Sequence, residues 1–525
     1  MNAVLDLTRP GGYTLALLPE IVLCAWAMLV LIVDVAQKGN RSEPSRPSIG
    51  WLALAGVLAT AVATGALWNV TAGPAPAMMS MDRFRVFIDL VILGSAALTL
   101  LMAQGYLDRR GINRGEFQAL VMFSTAGMML MAGARDLLMV FIGLELLSIP
   151  IYCLVGFDRL DERSVEGALK YFLLGAFSSA FFLFGIALTW GATGTSDIQL
   201  IGRIVLGTGG HVSPMLLAGM AMLMVGFGFK VAAMPFHMWT PDAYDGAPTP
   251  VTALMSTGVK AAAFASFIRV FVIGFGGASQ HWQQIGFWIA VVTMVGANLI
   301  ALTEGSLKRM LAYSSIAHAG YLLVALLSNS PEGAAAFLFY LLAYTLMTAG
   351  AFAILIANSR EATGEERVAL EDWAGFAREK PLLAAMFSIF LLSLAGFPLT
   401  AGFLGKLFIL RAAVAAGLTP LAVVLVLASL LSYFYYLRVI VVMYMSAPRV
   451  AGEHRAARLP APALAGVGVA AALVLLLFFA GGWPMGWADQ GAHSLWTQWS
   501  EQPAAVVPAG AGAATAAGPT VPRAL

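Results

Sequence analysis

The chain of 525 residues is 60% hydrophobic and only 11% charged, with a formal net charge of +2. Soluble domains carry roughly a quarter charged residues, so this composition excludes an ordinary water-covered surface, and the near-zero net charge excludes a basic nucleic-acid-binding face. The only two cysteines, Cys24 and Cys153, both lie in apolar runs, which excludes a disulfide framework and any iron–sulfur cluster held by this chain alone, since such a cluster takes about four thiolates.

A membrane helix needs about 20 apolar residues, and reading runs of that length predicts an all-α polytopic membrane protein of about 14 spans. Spans at 13–36, 49–70 and 84–105 form an N-terminal three-helix segment, 1–114. Arg9 stands alone before the first run while Lys38, Arg41 and Arg46 follow it, an order expected of a retained span rather than a cleavable leader. Spans at 115–132, 136–157, 166–192, 213–243 and 248–275 make a five-helix unit, 115–275. It carries Glu145, then Lys170 beside Glu166, then Lys230 with Pro235 and His237 after it, then Lys260 and Arg269. Spans at 280–303, 307–327, 331–359, 382–411 and 420–447 make a second five-helix unit, 280–447. His318 lies in its second helix, Gly396-Phe397-Pro398 precedes Lys406 in its fourth, and Arg438 lies in its fifth. A last span at 461–481 closes the segment 448–481, and the Ala/Pro/Gly-rich residues 482–525 read as a disordered tail.

Charge fixes an orientation, because cytoplasmic loops are enriched in Lys and Arg. With the N-terminus outside, seventeen basic residues fall on the inner side and seven on the outer. A miscount of one span would scramble that alternation. Both termini are therefore expected on the periplasmic side of a bacterial inner membrane.

The basic residues divide by type. The chain has 7 Lys and 23 Arg, yet the predicted spans hold Lys170, Lys230, Lys260 and Lys406 against only Arg269 and Arg438. Burial allows a lysine to give up its proton, whereas an arginine keeps its own. An ionisable group inside a membrane is a functional hypothesis by default. Counted from the inner ends of their helices, Glu145 and Lys260 both lie at ~18 Å and Lys230 at ~20 Å. They form a row at mid-membrane depth. Lys406 sits past the middle, nearer the outside. Pro235 and Pro398 interrupt the helices of Lys230 and Lys406, and broken membrane helices mark ion sites. Each break lies in the fourth helix of a five-helix unit. Five is odd, so the units are expected to be inverted repeats.

Several stretches resemble the antiporter-like family, which comprises the three large pump subunits of bacterial complex I and the Mrp-type antiporters. The segment Phe141-Ile142-Gly143-Leu144-Glu145-Leu146-Leu147-Ser148-Ile149-Pro150 looks like the family's fifth-helix glutamate motif. Gly226 through Lys230, Pro235, His237, Trp239, Pro241 and Asp242 to Ala247-Pro248-Thr249-Pro250 looks like the broken seventh helix and its loop. Ser256 to Lys260, Lys308 to His318, and Ala395-Gly396-Phe397-Pro398 to Lys406 look like the eighth helix, the start of the tenth and the broken twelfth. The resemblance spans residues 115–447. One pump subunit of the family usually carries Glu where Lys406 stands, and another continues into a long lateral helix; neither pattern fits this chain. The segment after the last span is longer than the remaining pattern leads one to expect.

The resemblance implies a proton-translocating subunit of an NADH:quinone oxidoreductase, with Glu145 and Lys230 as a tuning ion pair. Lys260 would be the central proton carrier and Lys406 the outward exit group, with His237 and His318 as relays and Lys170 near the inner surface. Each has a plainer alternative: a static buried pair for Glu145–Lys230, a carbonyl tether for Lys260, snorkelling for Lys406 and Lys170, and a packed structural histidine for His318. Arg269 and Arg438 read as pairing or interface residues. Neither a dinucleotide-binding Gly-x-Gly-x-x-Gly nor a P-loop stands in the sequence, and no metal-ligand set is visible. NADH, FMN, iron–sulfur clusters and quinone are therefore expected on partner subunits. The implied partners are the other antiporter-like and the small membrane-arm subunits, the lipid bilayer and protons. The alternatives are a subunit of a Na⁺/H⁺ antiporter and the membrane arm of an energy-converting hydrogenase. Sodium sites favour clustered carboxylates and carbonyl oxygens, and lysines with one central carboxylate favour protons.

Overall fold

The computed structural model describes residues 14–38, 44–70, 78–209, 211–359, 366–447 and 460–500, almost all of them in helices. The long helices are α1 (Leu18–Gln37), α2 (Pro47–Ala66), α3 (Arg83–Ala103), α4 (Gly115–Gly133), α5 (Leu137–Val155), α6 (Glu162–Thr193) and α7 (Pro214–Lys230). Then come α8 (Thr249–Gly274), α9 (Ser279–Thr303), α10 (Leu307–Leu327), α11 (Pro331–Ala357), α12 (Pro381–Ala395), α13 (Ala401–Ala415), α14 (Thr419–Met445), α15 (Ala461–Phe479) and α16 (Gly482–Ser500). Short polar side chains start several of them. Asp82, Asp136 and Asp161 accept hydrogen bonds from the first-turn amides of α3, α5 and α6, and Ser213, Ser306 and Ser330 do the same for α7, α10 and α11. Each cap satisfies an amide that the helix leaves without a partner.

Among the described residues, 11 helices are long and apolar enough to cross a membrane. The chain is a multi-pass membrane protein. Three expected spans fall outside those eleven. One is α4, which carries Glu116 and Gln118 in its first turns. The other two are interrupted: α7 stops at Lys230, and α12 stops at Ala395 before α13 resumes at Ala401. Both interruptions hold a non-glycine residue at positive φ, Ala232 at 61° and Leu399 at 73°, a conformation that costs energy and persists only where the surroundings enforce it.

Burial separates a centre from a periphery. The most apolar window of α8 is 100% buried, that of α10 94% and that of α11 89%, against 33% for α1, α6 and α15. The outer helices turn side chains such as Ile32, Phe177, Leu430 and Phe479 outward, which a lipid-facing surface accepts and water would not. Lys260 and His318 therefore ride on the most enclosed helices. Two π-helical stretches, Met255–Val259 and Arg269–Gly274, flank the α-helical turns that begin at Lys260; such wide turns recur at functional sites.

The expected disordered tail is corrected in part. Residues 482–500 form α16, which packs on α11 and α3. Met485, Ala488, Ala492 and Leu495 recur at helical spacing, and the last three are buried. A compositional reading of Gly481-Gly482 and the alanines passes over that periodicity. Trp487 packs at a tilt against Trp483 and Trp68. Residues 501–525 of the expected tail lie outside the described residues.

Helices α4 and α5 pack backbone against backbone. A Cβ on Gly127 would stand 2.4 Å from the amide nitrogen of Leu147, and one on Gly143 2.6 Å from that of Met131. Only glycine permits this backbone approach, which in membranes replaces the hydrophobic drive for helix association. Gly143→Val is therefore expected to cost at least the ~1–3 kcal/mol of core overpacking, seen as loss of assembled complex on native gels, whereas Gly65→Ala, where nothing lies within 4 Å, is expected to assemble normally.

Candidate functional site

Lys230 is the last residue of α7 and is buried. Its Nζ donates to Ser148 Oγ at 2.7 Å and to Tyr171 Oη at 3.1 Å. Ser148 lies one turn beyond Glu145 on α5, and its hydroxyl donates back to Leu144 O. Glu145 is half-buried and accepts from Ser179 Oγ at 2.5 Å. The expected Glu145–Lys230 ion pair is thus not a direct contact in this structure. A serine hydroxyl engages each instead: Ser148 of α5 takes Lys230, and Ser179 of α6 takes Glu145.

Lys260 donates to Ser315 O at 2.5 Å and to Ser315 Oγ at 2.6 Å. Tyr344 Oη donates to the same Ser315 Oγ at 2.8 Å, and its ring lies 5.8 Å from the ammonium. One turn further along α10, His318 Nδ1 meets Tyr340 Oη at 2.6 Å, and its Nε2 lies 3.4 Å from Tyr436 Oη. One more turn on, the Tyr321 ring lies 4.8 Å from Lys406 Nζ. Lys406 donates to Leu394 O at 3.0 Å and Ala395 O at 2.8 Å, the carbonyls that end α12. Ser315, His318 and Tyr321 recur every third residue, so one face of α10 carries a continuous polar line from Lys260 to Lys406.

The structure does not bring His237 to either neighbouring lysine. Its Nδ1 is buried without a hydrogen-bond partner. The link from Lys230 toward Lys260 is aromatic instead: Tyr171 stacks on Trp239 at 4.3 Å, and Trp239 packs edge-on against Tyr244 at 6.1 Å. Lys170 is half-exposed and joins an ionic chain, with Glu166 at 2.6 Å and Asp242 at 2.8 Å, while Asp242 also takes Arg309 at 3.0 Å. Arg269 pairs with Asp82 at 2.7 Å through two nitrogens, as a pairing residue should, and Arg438 is exposed on α14. Sequence reasoning missed Ser148, Tyr171, Ser315, Tyr340, Tyr344 and Tyr436. The available signal was polar residues at helical spacing inside apolar runs, 315/318/321 and 340/344.

Near the start of α10 a polar cavity is lined by Tyr106, Arg110, Asp158, Lys308 and Glu366. Lys308 pairs with Glu366 at 2.9 Å and donates to Ala247 O at 2.6 Å. Glu366 also accepts from Tyr106 Oη at 2.7 Å and from the Thr249 hydroxyl. Burial alone would raise the Glu366 carboxyl, but the Lys308 charge and the hydrogen bonds from Thr249, Lys308 and Tyr106 hold it below its ordinary value of 4.5. A lowered folded value stabilises the fold above the ordinary pKa and loses that stabilisation as the pH falls through the lowered value.

Residues 134–432 match the family described as NADH:quinone oxidoreductase/Mrp antiporter, transmembrane. The chain belongs to this family of ion-translocating membrane subunits. Within it, the chain is 44% identical to subunit N of the NADH-quinone oxidoreductase of Trichlorobacter lovleyi, over 82% of this chain and 87% of that one. It is 46% identical to subunit N 1 of the same complex in Sorangium cellulosum, over 83% and 90%. A chain of respiratory complex I from Thermus thermophilus, solved with bound aureothin, superposes with a TM-score of 0.75 at 34% identity, over 90% of this chain and 100% of that one.

Two outcomes test this geometry. At Gly396, φ is 89° and a Cβ would lie 3.0 Å from Lys406 Cδ and 3.2 Å from its Nζ. Gly396→Ala is expected to displace the ammonium from the α12 carbonyls and lower proton pumping in vesicles while assembly on native gels persists. For Glu366→Gln, thermal inactivation of the purified complex is expected at lower temperature than wild type at neutral pH, with the difference closing below about pH 4.

Proposed function

We propose that the chain works as the proton-translocating subunit N of a bacterial NADH:quinone oxidoreductase, carrying protons along the buried line Lys230, Lys260, His318 and Lys406 while partner subunits carry out the redox chemistry. The observation that carries the reading is the α10 face. It places a serine, a histidine and a tyrosine in order between two buried lysines, each in contact with the next lysine or with a phenol hydroxyl. NADH, FMN, iron–sulfur clusters and quinone belong to partner subunits on this reading, and the antiporter-like subunits L and M are its neighbours in the membrane arm.

Glu145 acts on Lys230 through α5. Rotation of Ser148 away from the ammonium would open the way to a direct pair, and an opposite charge at contact distance favours the protonated lysine. Lys170 and Asp242, tied to Arg309, sit where protons enter from the cytoplasm. His237, with its unpartnered nitrogen, is a relay only in a state where the break has moved. Sidedness is supported by contacts between distant segments. Arg110 meets Asp158 at 2.6 Å and Lys308 meets Glu366 at 2.9 Å, all residues that fourteen crossings put inside. Arg85 meets Glu20 at 2.5 Å near the outer ends of the third and first spans, and Arg135 meets Asp197 at 3.2 Å between two outer loops. Both termini then face the periplasm. The two five-helix units are inverted repeats on this reading, supported by a break with a positive-φ residue in the fourth helix of each.

The decisive experiment compares inverted membrane vesicles carrying wild type and Lys260→Ala, with assembly checked on native gels. NADH-driven acidification is expected to fall to near background, and coupled quinone reduction with it, in an assembled complex. Unchanged acidification overturns the role of Lys260, and Na⁺/H⁺ exchange without a redox donor would move the chain to the antiporter branch of the family.

A further inference from the structure

A second group of buried charges lies away from the lysine line, where α1, α3 and the far end of α8 meet. Arg85 on α3 sits at its centre. Its Nη2 donates to Glu20 Oε1 of α1 at 2.5 Å, its Nε to Asp89 Oδ2 at 3.2 Å and its Nη1 to Ser80 O at 3.0 Å. The carboxylate of Asp82 is committed elsewhere, to Arg269 through both oxygens and to the Arg85 amide. One guanidinium therefore faces two carboxylates. Glu20 is 4% exposed and Asp89 1%. Each keeps one buried oxygen, Glu20 Oε2 and Asp89 Oδ1, with no hydrogen-bond partner.

This arithmetic does not close for two ionised acids. Asp82 and Arg269 cancel, and Arg85 cancels one of its two carboxylates, leaving one uncompensated negative charge in a buried site. The other groups facing the site do not supply the missing positive charge. Cys24 lies one turn along α1 from Glu20. Arg135, just past the end of α4, pairs with Asp197. From α4 itself Gly133 faces Arg85, and a Cβ there would stand 2.5 Å from Arg85 Nε. An isolated buried carboxylate is very costly and in practice takes up a proton instead. Two carboxylates that share a site hold a proton between them for the same reason.

A hydroxyl pair lies between this site and the lysine line. Six residues along α3 from Asp89, a climb of ~9 Å, Ser95 Oγ meets Thr257 Oγ1 of α8 at 2.6 Å. Thr257 stands one turn before Lys260. We propose that Glu20 and Asp89 share one exchangeable proton around Arg85, forming a proton-holding station through which protons reaching the Lys260 region leave toward the outer face along α3. The holding site stands on the charge count and the two orphaned oxygens; its use in transfer rests on the proton-translocating reading above.

The test uses the purified, assembled complex and two single substitutions, Glu20→Gln and Asp89→Asn. Infrared difference spectra between wild type and each variant report the carbonyl stretch of a protonated carboxylic acid and its shift in D2O. Either substitution leaves one acid for one guanidinium, so each alone is expected to remove the same protonated-acid band, and each complex is expected to assemble. A band untouched by both substitutions overturns the shared proton, as does failure of both variants to assemble. In vesicles, NADH-driven acidification is expected to fall in both variants. Acidification at the wild-type rate with the band removed overturns the exit route while leaving the pumping role of Lys260 standing.

Discussion

The rest of this structure depends on how positive charge is held in a buried interior. At the centre, Lys230, Lys260 and Lys406 contact no carboxylate among the described residues. Lys230 rests on a serine and a tyrosine hydroxyl, Lys260 on one serine's carbonyl and hydroxyl, and Lys406 on two backbone carbonyls. At the two ends of the bundle the rule reverses, and Arg85, Arg110, Arg269 and Lys308 all sit against carboxylates. Breaking a buried ion pair leaves an uncompensated charge, at a cost of about 3–5 kcal/mol, so such pairs make fixed posts. A lysine on neutral oxygens leaves no opposite charge behind when its proton departs. On the proposed path, the basic groups at the ends of the bundle stay charged while the lysines in the middle change.

That division explains why α10 is the axis of the site. A proton moving between Lys260 and Lys406 needs polar groups at intervals a hydrogen bond can bridge, inside the most enclosed part of the bundle. A helix supplies them if polar residues recur every three or four positions on one face. Ser315, His318 and Tyr321 do so, and Tyr340, Tyr344 and Tyr436 close around them from α11 and α14. The surrounding helices stay apolar, which keeps the line from leaking into lipid. The wide turn before Lys260 aims the lysine from α8 toward Ser315 without a kink in α10 itself.

Much of this was legible in the sequence, for a physical reason. Charge inside an apolar run is so unfavourable that Lys230, Lys260 and Lys406 stand out without any structure. Proline and glycine locate the two interruptions, because only a few residues tolerate leaving a helix there. The partners of those lysines were harder to read. A serine or threonine in a membrane helix usually bonds to its own backbone, as Thr60, Thr64 and Thr125 do here, so Ser148 and Ser315 give no signal of their own. The family resemblance implies a Glu145–Lys230 pair, and the two lie at similar depth, but depth says nothing about which face of a helix a residue occupies. Ser148, one turn along, takes the ammonium. The acid group around Arg85 was hidden because Glu20, Asp82, Arg85 and Asp89 sit near helix ends, where charge is ordinary. The apolar period of α16 is hidden among its alanines and glycines.

The two interruptions look alike along the backbone but hold their lysines differently. At the first, the end of α7 is closed by uncharged donors: the amides of Val231, Ala232 and Ala233 turn back onto Phe227, Phe229 and Gly228, and the Trp239 indole donates to Phe229 O at 3.0 Å. Lys230 is not needed to satisfy those carbonyls, so its ammonium is free to rest on side-chain hydroxyls that rotate. At the second, Gly396 and Phe397 turn back onto Leu392 and Ser393, but the carbonyls of Leu394 and Ala395 have Lys406 itself as their donor. That ammonium lies at the partly negative end of a helix, whose attraction for a cation is fixed by the fold. Lys230 can therefore be repartnered by a small motion of one serine, while Lys406 moves only if the break moves. If protons follow this line, a loosely held lysine at one end and a backbone-held lysine at the other give it a direction: the loose end would respond to a change next door, and the firm end would change state only when the helix break itself is displaced.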